Sequence, residues 1–315
     1  MNNFLKEFCS NKKVNKSNQI ILINLLNIKN ESLILLLFKI LLILSFLLNH
    51  IEREYYIYEM INKHNKIKTN SSSLKIFIMT HKDFDNHRYN PIYNIVADNK
   101  QQLKKKYNLN IFYAKEGKLF NMSRSYGEMS KLYFIYQLYK IGSISSDYIG
   151  LSHYRRYFDF GDNIPYLGHI FEKYEVILNK PTKMKINIRK HYCKFHICKN
   201  FDEILDIIKE IKPDYYKTAL KTAKEKHIFL GNLFIMKKKD FFNYCKFVYD
   251  ILFEFDLRHN FTNDKDVFDY TKKYFNDSIQ YHFQSRLDGY LAERISNIFF
   301  RKYFNKIKFY KIEIE

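Results

Sequence analysis

The stretch DYIGLSHYRRYFDF (residues 147–160) decides the fold of this chain. Its first half, YIGLSHY, is a short apolar run of the kind that forms a strand buried on both faces. The run discharges into His153, Arg155 and Arg156, and then into aromatics interrupted by Asp159. A buried strand that ends in two guanidinium groups offers fixed cations to whatever lies beyond the sheet edge. Ordinary surface ion pairing is the plain alternative, and the position beside a histidine at a strand end weighs against it.

Outward from this strand the pattern alternates. LKIFIMT (74–80) reads as a second buried strand, followed by a polar loop. Pro91 then opens an expected helix through PIYNIVADNKQQLKKKY, proline being harmless in a first helical turn. NIFYA is a short strand, GEMSKLYFIYQLYK (127–140) carries apolar residues at helical spacing, and YEVILNK (174–180) is a strand stopped by Pro181. FDEILDIIKEI (201–211) and the segment after Pro213 read as amphipathic helices. IFLGNLFIMKK (228–238) reads as one strand, DFFNYCKFVYDILFEF as a long helix, and 277–300 as a final helix. Strands alternating with helices imply an α/β domain with a mostly parallel central sheet flanked by helices. Ligands of such sheets bind beyond the carboxyl ends of the strands.

Composition narrows the class of partner. The 315 residues carry 53 Lys and Arg against 33 Asp and Glu, a net charge of +20, which favours anionic ligands or surfaces. The lysines are spread over many segments rather than gathered into one tract. Tyr (27) and Phe (29) supply all of the aromatic content, and they fall mostly at core-like periodic positions. That placement disfavours a single-strand nucleic-acid binder, whose bases would need exposed rings to stack on. Four cysteines without a regular framework suggest reduced thiols and a cytoplasmic setting.

Residues 1–70 differ from the rest. IILINLLNI (20–28) and LILLLFKILLILSFLL (33–48, broken by Lys39) are strongly apolar, and the second is slightly short for a membrane span. They read as a packed helical hairpin or as an anchor lying on a membrane surface. NKHNKIKTNSSS (62–73) is a polar linker. The division is therefore an apolar helical extension (1–70) and a catalytic-sized α/β domain (71–315).

The strand-end rule gathers a polar rim: Thr80, His81, Lys82 and Asp83 after one strand, His153, Arg155 and Arg156 after another, Asn179 and Lys180 after a third, and Asn232 beside Gly231. Arginine forks match phosphate oxygens, so the rim suits a diphosphate.

These residues also carry a resemblance. KIFIMTHKDFD (75–85), NMS (121–123), GEMSKLYFIYQ (127–137), DYIGLSHYRRYFDF, EVILNKP (175–181), GNLFIMKKKDFFNYC (231–245) and RLDGYLAERI (286–295) are collinear. Together they resemble a bacterial family assigned to glycosyl transfer, found in capsule, exopolysaccharide and lipopolysaccharide gene clusters and catalogued as a domain of unknown function. The resemblance implies a GT-A-like fold, a nucleotide-sugar donor (a UDP-sugar first) and a glycan or lipid-linked glycan acceptor. It places Thr80, His81 and Lys82 beside the nucleotide and makes Asn121 and Glu128 donor-site positions. His153, Arg155 and Arg156 stand where many GT-A enzymes carry an Asp-x-Asp clamp for Mn or Mg. This chain has cations there instead, able to neutralise a leaving diphosphate directly. Asp83 and Asp85 spell Asp-x-Asp, but after the first strand, where base or ribose contacts are the better use of Asp83. Asp85 and Asp159 remain the metal candidates.

Two further motifs hold candidates. HYCKFHIC (191–198) has two His and two Cys, yet an extended chain would turn His191 and Cys193 away from His196 and Cys198, so one zinc ion could not collect all four without a tight turn. His191 and His196 are better read as lining a sugar or acceptor pocket, or simply as hydrogen-bonded loop residues. In QSRLDGYLAER (284–294) a helix puts Arg286, Tyr290 and Arg294 on one face, and Gly289 marks close packing. An inverting transferase needs a carboxylate base. Glu293 is the first candidate and Asp288 the second, with a structural Glu–Arg network as the alternative. Asn232, Arg286 and Arg294 join the acceptor side.

The expected protein is thus a cytoplasmic glycosyltransferase, peripheral on the inner face of the plasma membrane if its apolar extension touches lipid. A nucleic-acid-binding protein and a non-catalytic membrane-associated scaffold are the alternatives.

Overall fold

A computed structural model describes residues 73–85, 92–117, 119–158, 160, 167–275 and 277–314. The apolar segments of residues 1–70, Cys9 and Asp159 lie outside the described residues.

The fold is built on β1 (Leu74–Met79), β2 (Tyr93–Ala97), β3 (Asn110–Tyr113) and β4 (Tyr148–His153). These four run parallel in the order β3, β2, β1, β4. Beyond β4 the sheet continues through β9 (Phe234–Lys237), β6 (Val176–Asn179) and β10 (Ile307–Tyr310), with β9 antiparallel to both neighbours and β6 parallel to β10. A hairpin strand, β5 (Arg156–Phe158), returns from β4 and pairs with β11 (Ile312–Ile314). A separate ribbon joins β7 (Thr182–Lys183) to β8 (His227–Ile228). The mixed α/β architecture and the mostly parallel central sheet agree with the expectation from sequence.

Side chains alternate across the pleat. In β1, Phe77 and Met79 enter one core while Ile76 and Ile78 enter the other, so the sheet is buried on both faces. The larger core lies under α2 (Glu128–Lys140), α5 (Cys198–Ile211), α6 (Pro213–Lys224), α7 (Lys238–His259) and α10 (Leu287–Tyr303), the short α1 being Ser123–Tyr126. Pro213 begins α6 where its missing N–H costs nothing. An Asn263/Asp266 capping box starts α8 (Asp264–Lys272). The seam between α7 and α10 is aromatic, with Tyr244 stacked on Phe300 at 5.6 Å and Phe247 packed on Phe299 at 5.5 Å. The remaining helices are α3 (Leu167–Lys173), α4 (Ile188–Phe195) and α9 (Ser278–Gln284).

Four local expectations are corrected. The segment after Pro91 is β2 followed by a single 3-10 turn at Lys100–Gln102, not a helix. All five residues of YNIVA are buried, and a run buried on every side has no periodicity to distinguish strand from helix. The 228–238 segment is interrupted, because Gly231 (φ 84) and Asn232 (φ 52) take left-handed conformations no strand accepts. The last helix breaks between α9 and α10, where buried Ser285 turns to accept from Arg124 Nε and to donate to the His282 carbonyl. Finally, HYCKFHIC is the end of α4 and the start of α5, and Cys193 and Cys198 are joined by a disulfide rather than reduced. Cys245 is free and buried.

One feature of the helical layer is electrostatically costly. Asp288 is fully buried and accepts from the Ser125 hydroxyl (2.5 Å), and buried Asp256 accepts from the Tyr126 hydroxyl (2.5 Å). The second oxygen of each has no hydrogen-bond donor, and among the described residues neither forms an ion pair. Burial, then the charge of Asp288, pushes Asp256 well up. Burial pushes Asp288 up as well, opposed by the Ser125 hydroxyl and reinforced by Asp264. One proton shared between the two orphaned oxygens satisfies both.

A carboxyl raised in the folded state contributes most at low pH and loses that contribution as pH rises through its folded value. Asp256→Asn is therefore expected to gain stability relative to the parent between pH 5 and 9, by about 2 kcal/mol or more. Thermal unfolding of both proteins across that range checks the sign.

Candidate active site

The carboxyl ends of β1, β2 and β4 lie side by side, since Met79 pairs with Val96 and with His153. A cleft of about 750 Å³ opens there, bounded by the starts of α2 and α10 and by the turn before β9. Of the residues expected at a ligand site, Thr80, His81, Glu128, His153, Arg155, Arg156, Arg286 and Glu293 all line it.

At its centre is Glu128, the first residue of α2, where the helix N-terminus favours a negative charge. Its Oε1 accepts from Asn232 Nδ2 (3.1 Å) and lies 3.7 Å from His153 Nε2, and its Oε2 lies 3.6 Å from Arg286 Nη2. Burial raises its pKa, but His153, the helix backbone and Arg286 outweigh burial and hold it at about 2. Its ionised form supports the fold at neutral pH, and that support is lost only as pH falls from 4.5 toward about 2. Asn232 is itself fixed, its Oδ1 accepting from Ser296 Oγ, which meets the Tyr244 hydroxyl at 2.8 Å. Asn232 does not line the cleft; it holds Glu128 from behind.

Glu293 closes another side. Its Oε1 accepts the Gly231 N–H (2.7 Å) and its Oε2 pairs with buried Arg294. Arg294 also bonds the Tyr290 carbonyl and lies over the Tyr192 ring at 5.4 Å, so it stands behind the wall rather than in it. Gly289 touches α1, where an added Cβ would sit 3.3 Å from the Tyr126 carbonyl oxygen.

The cations divide into spent and unspent. Lys131 is buried and paired with Asp98 at 2.7 Å. Arg124 is consumed by the Ser285 hydroxyl and the His282 carbonyl. Arg155 and Arg156, by contrast, are exposed at the β4–β5 hairpin, and among the described residues neither forms an ion pair. Arg155 lies over the Tyr154 ring at 5.0 Å, on which Lys82 (5.6 Å) and His81 (5.2 Å) also converge. Burial and the charges of Lys131, Arg286, Lys82 and Arg155 lower the His81 pKa, a measure of how positive this wall is. Thr80 is buried and shapes the loop, its hydroxyl donating to the Lys82 carbonyl.

Other expected residues lie elsewhere. Asp83 accepts from the Lys104 and Lys105 amides and the Tyr107 hydroxyl, which makes it a loop anchor outside the cleft lining. Asn121 is exposed in a 3-10 turn, also outside the lining. Asp288 belongs to the buried carboxyl pair and does not reach the cleft. His191 and His196 sit behind Tyr290 on the α4 side, His196 stacked on that ring at 4.2 Å. Asp85 is exposed, and among the described residues no group of three His, Cys, Asp or Glu could hold a metal ion. The three cleft carboxylates, Asp98, Glu128 and Glu293, each already face a cation, so they do not make a set that fits one. Sequence reasoning missed Asp98, Lys131, Tyr154, Phe283 and Tyr290 as cleft residues. Asp98 was hidden by reading β2 as a helix; as the residue after a parallel strand it would have joined the rim.

The profile of a family described as a domain of unknown function (DUF4422) matches residues 75–306, and the chain belongs to that family. No curated protein matches. Among solved structures, the chain is similar to the apo structure of the WbbM bifunctional glycosyltransferase, at 18% identity and a TM-score of 0.58. The match covers 77% of this chain and 45% of that one, so this chain spans less than half of WbbM's length. What the two share is the fold.

The turn before β9 gives a prediction. Gly142 and Gly231 both have positive φ, but a Cβ at Gly142 meets nothing within 4 Å, whereas at Gly231 it lies 3.1 Å from Arg156 Nη1. Gly142→Ala is expected to cost about 1 kcal/mol of stability and leave pyrophosphate binding intact. Gly231→Ala is expected to cost a similar amount or more and also to weaken pyrophosphate binding by displacing Arg156. Denaturant midpoints and calorimetric titration separate the two.

Proposed function

We propose that this chain is a GT-A-like glycosyltransferase that moves a sugar from a nucleotide-sugar, a UDP-sugar first, to a surface-polysaccharide acceptor. The observation that carries the proposal is the pair of unspent arginines, Arg155 and Arg156, at the carboxyl end of the central strand and in the wall of the cleft. Family membership and the fold shared with a glycosyltransferase support it. Nucleotide-diphosphate ligands fit a concave site of this size with one strongly cationic wall.

In this reading Arg155 and Arg156 grip the diphosphate and neutralise the charge that develops as the glycosidic bond to phosphate breaks. Lys82 extends the cationic wall toward the nucleotide, and His81 beside it is a neutral hydrogen-bonding group. Glu128 and Asn232 keep Arg286 and His153 in place. Glu293 is the proposed base for the acceptor hydroxyl, its carboxylate held in place between the Gly231 amide on one oxygen and the Arg294 guanidinium on the other. Among the described residues the acidic groups of the cleft each face a cation and do not make a set that fits Mn or Mg. Among the described residues no helix is long and apolar enough to cross a membrane. The proposed setting is the cytoplasm, with a lipid-linked acceptor met at the inner face of the plasma membrane.

Incubation with a panel of nucleotide-sugars, scored by nucleoside diphosphate release, tests the proposal. One donor is expected to turn over, and Arg155→Ala or Arg156→Ala to weaken nucleoside diphosphate binding about 10- to 100-fold, the loss of a charge-assisted hydrogen bond to phosphate. Absence of binding by every nucleotide tried, or binding indifferent to both substitutions, overturns it.

A further inference from the structure

The cleft has a second wall of opposite character. Phe283, from α9, and Tyr290, from α10, line it with ring centroids 5.3 Å apart. His196 lies 4.2 Å from the Tyr290 ring and within 12° of parallel to Phe283. The His196 Nδ1 donates to Gln284 Oε1 (2.9 Å), and Gln284 Nε2 donates to the Phe195 carbonyl (2.6 Å). These two bonds lock the end of α4 to α9 behind the rings. The wall carries no charge of its own at neutral pH, because burial drives His196 down to about 4, with Gln284 opposing and Arg294 reinforcing the fall.

Phe283 is nonetheless 53% exposed and Phe195 49%. Large rings left open beside a cleft mark a place where something covers them. Polar groups frame the rings. The Arg286 guanidinium lies 5.9 Å from the Tyr290 centroid, and Glu293 shares the same cleft lining.

We infer that this aromatic wall seats the acceptor as a saccharide, one pyranose ring lying with its C–H face on Phe283 and Tyr290 and its hydroxyls toward Arg286 and Glu293. The inference rests on the glycosyl-transfer reading and assigns the acceptor's class and place. A pyranose combines an apolar face of C–H groups with a rim of hydroxyls. Polarised C–H groups are drawn to the negative face of a ring, and the hydroxyls need donors and acceptors around it. A diphosphate gains nothing from neutral rings, whereas the C–H face of a pyranose does, so the aromatic wall offers a sugar what the Arg155 and Arg156 wall offers a diphosphate. A lipid chain would bury the same rings but leave the polar rim without partners.

Saturation-transfer NMR on the full chain tests this with defined probes: the methyl glycosides of glucose, galactose, mannose, N-acetylglucosamine and rhamnose, and octyl glucoside below its micelle concentration. Irradiating the protein is expected to saturate ring C–H protons of at least one glycoside. Phe283→Ala is expected to reduce that transfer roughly threefold or more, and Phe283→Tyr to restore it. The Phe283 side chain is half exposed, so melting temperatures of the variants should match the parent and certify the fold. No transfer to any glycoside, transfer unchanged in Phe283→Ala, or transfer confined to the octyl chain would each overturn the inference. Nucleotide-sugar binding is scored on the same samples. Donor binding without glycoside contact sinks the acceptor wall alone, whereas glycoside contact without donor binding removes the transferase reading and leaves a saccharide-binding wall.

Discussion

The ionised carboxylate of Glu128 is the point on which the cleft depends. It joins four elements that are distant in sequence: the start of α2, the end of β4 through His153, the turn before β9 through Asn232, and the start of α10 through Arg286. It gives the half-exposed Arg286 an anion to face and takes the amide N–H of Asn232, whose Oδ1 is held by Ser296. The carboxylate stays charged despite burial because the Asn232 amide donates to it while His153, the helix N-terminus and Arg286 lie close around it. Behind it the chain Tyr244, Ser296, Asn232 runs the hydrogen bonding down into the aromatic seam of α7 and α10. The loops and turns that carry the site are thereby tied to the packed helices beneath them.

Around that anchor the charges are sorted. Asp98 neutralises Lys131, Glu293 neutralises Arg294, and Glu128 faces His153 and Arg286. Among the described residues Arg155 and Arg156 are left without an ion pair, at the hairpin where β4 turns into β5. A surplus of cations at one end of a cleft whose other wall is neutral and aromatic is an electrostatic gradient, and it orients an elongated ligand carrying charge at one end. The buried Asp256–Asp288 pair lies beneath the same region, contributed by α7 and α10 and bonded to α1. Burial raises the pKa of both carboxyls, which makes the packing of these helices sensitive to alkaline pH without placing either carboxyl in the cleft.

Much of this was legible in the sequence, for physical reasons. Strands β1, β4 and β6 announced themselves as short apolar runs with clear stops, and the strand-end rule then found Thr80, His81, His153, Arg155 and Arg156 without knowing the topology. Hydrogen-bond partners were less legible. Asp83 looked like a ligand contact, but the Lys104 and Lys105 amides that occupy it lie about twenty residues on and belong to a loop whose path no local pattern specifies. Asp288 looked like a base because it is the second carboxylate of the 284–294 motif; its burial against Ser125 is a tertiary fact. A continuous helix would set Phe283 and Tyr290 on one face two turns apart, but that spacing does not say that the face lines a cleft, and the break between α9 and α10, with the rings 5.3 Å apart, is a tertiary fact.

The most direct test of the central claim is a crystal structure of the chain soaked with a nucleoside diphosphate that it binds. The diphosphate is expected in the cleft, with phosphate oxygens at hydrogen-bond distance from the Arg155 and Arg156 guanidiniums and Glu128 still holding Arg286. A diphosphate bound elsewhere, or bound in the cleft with both arginines turned to solvent, would contradict the account.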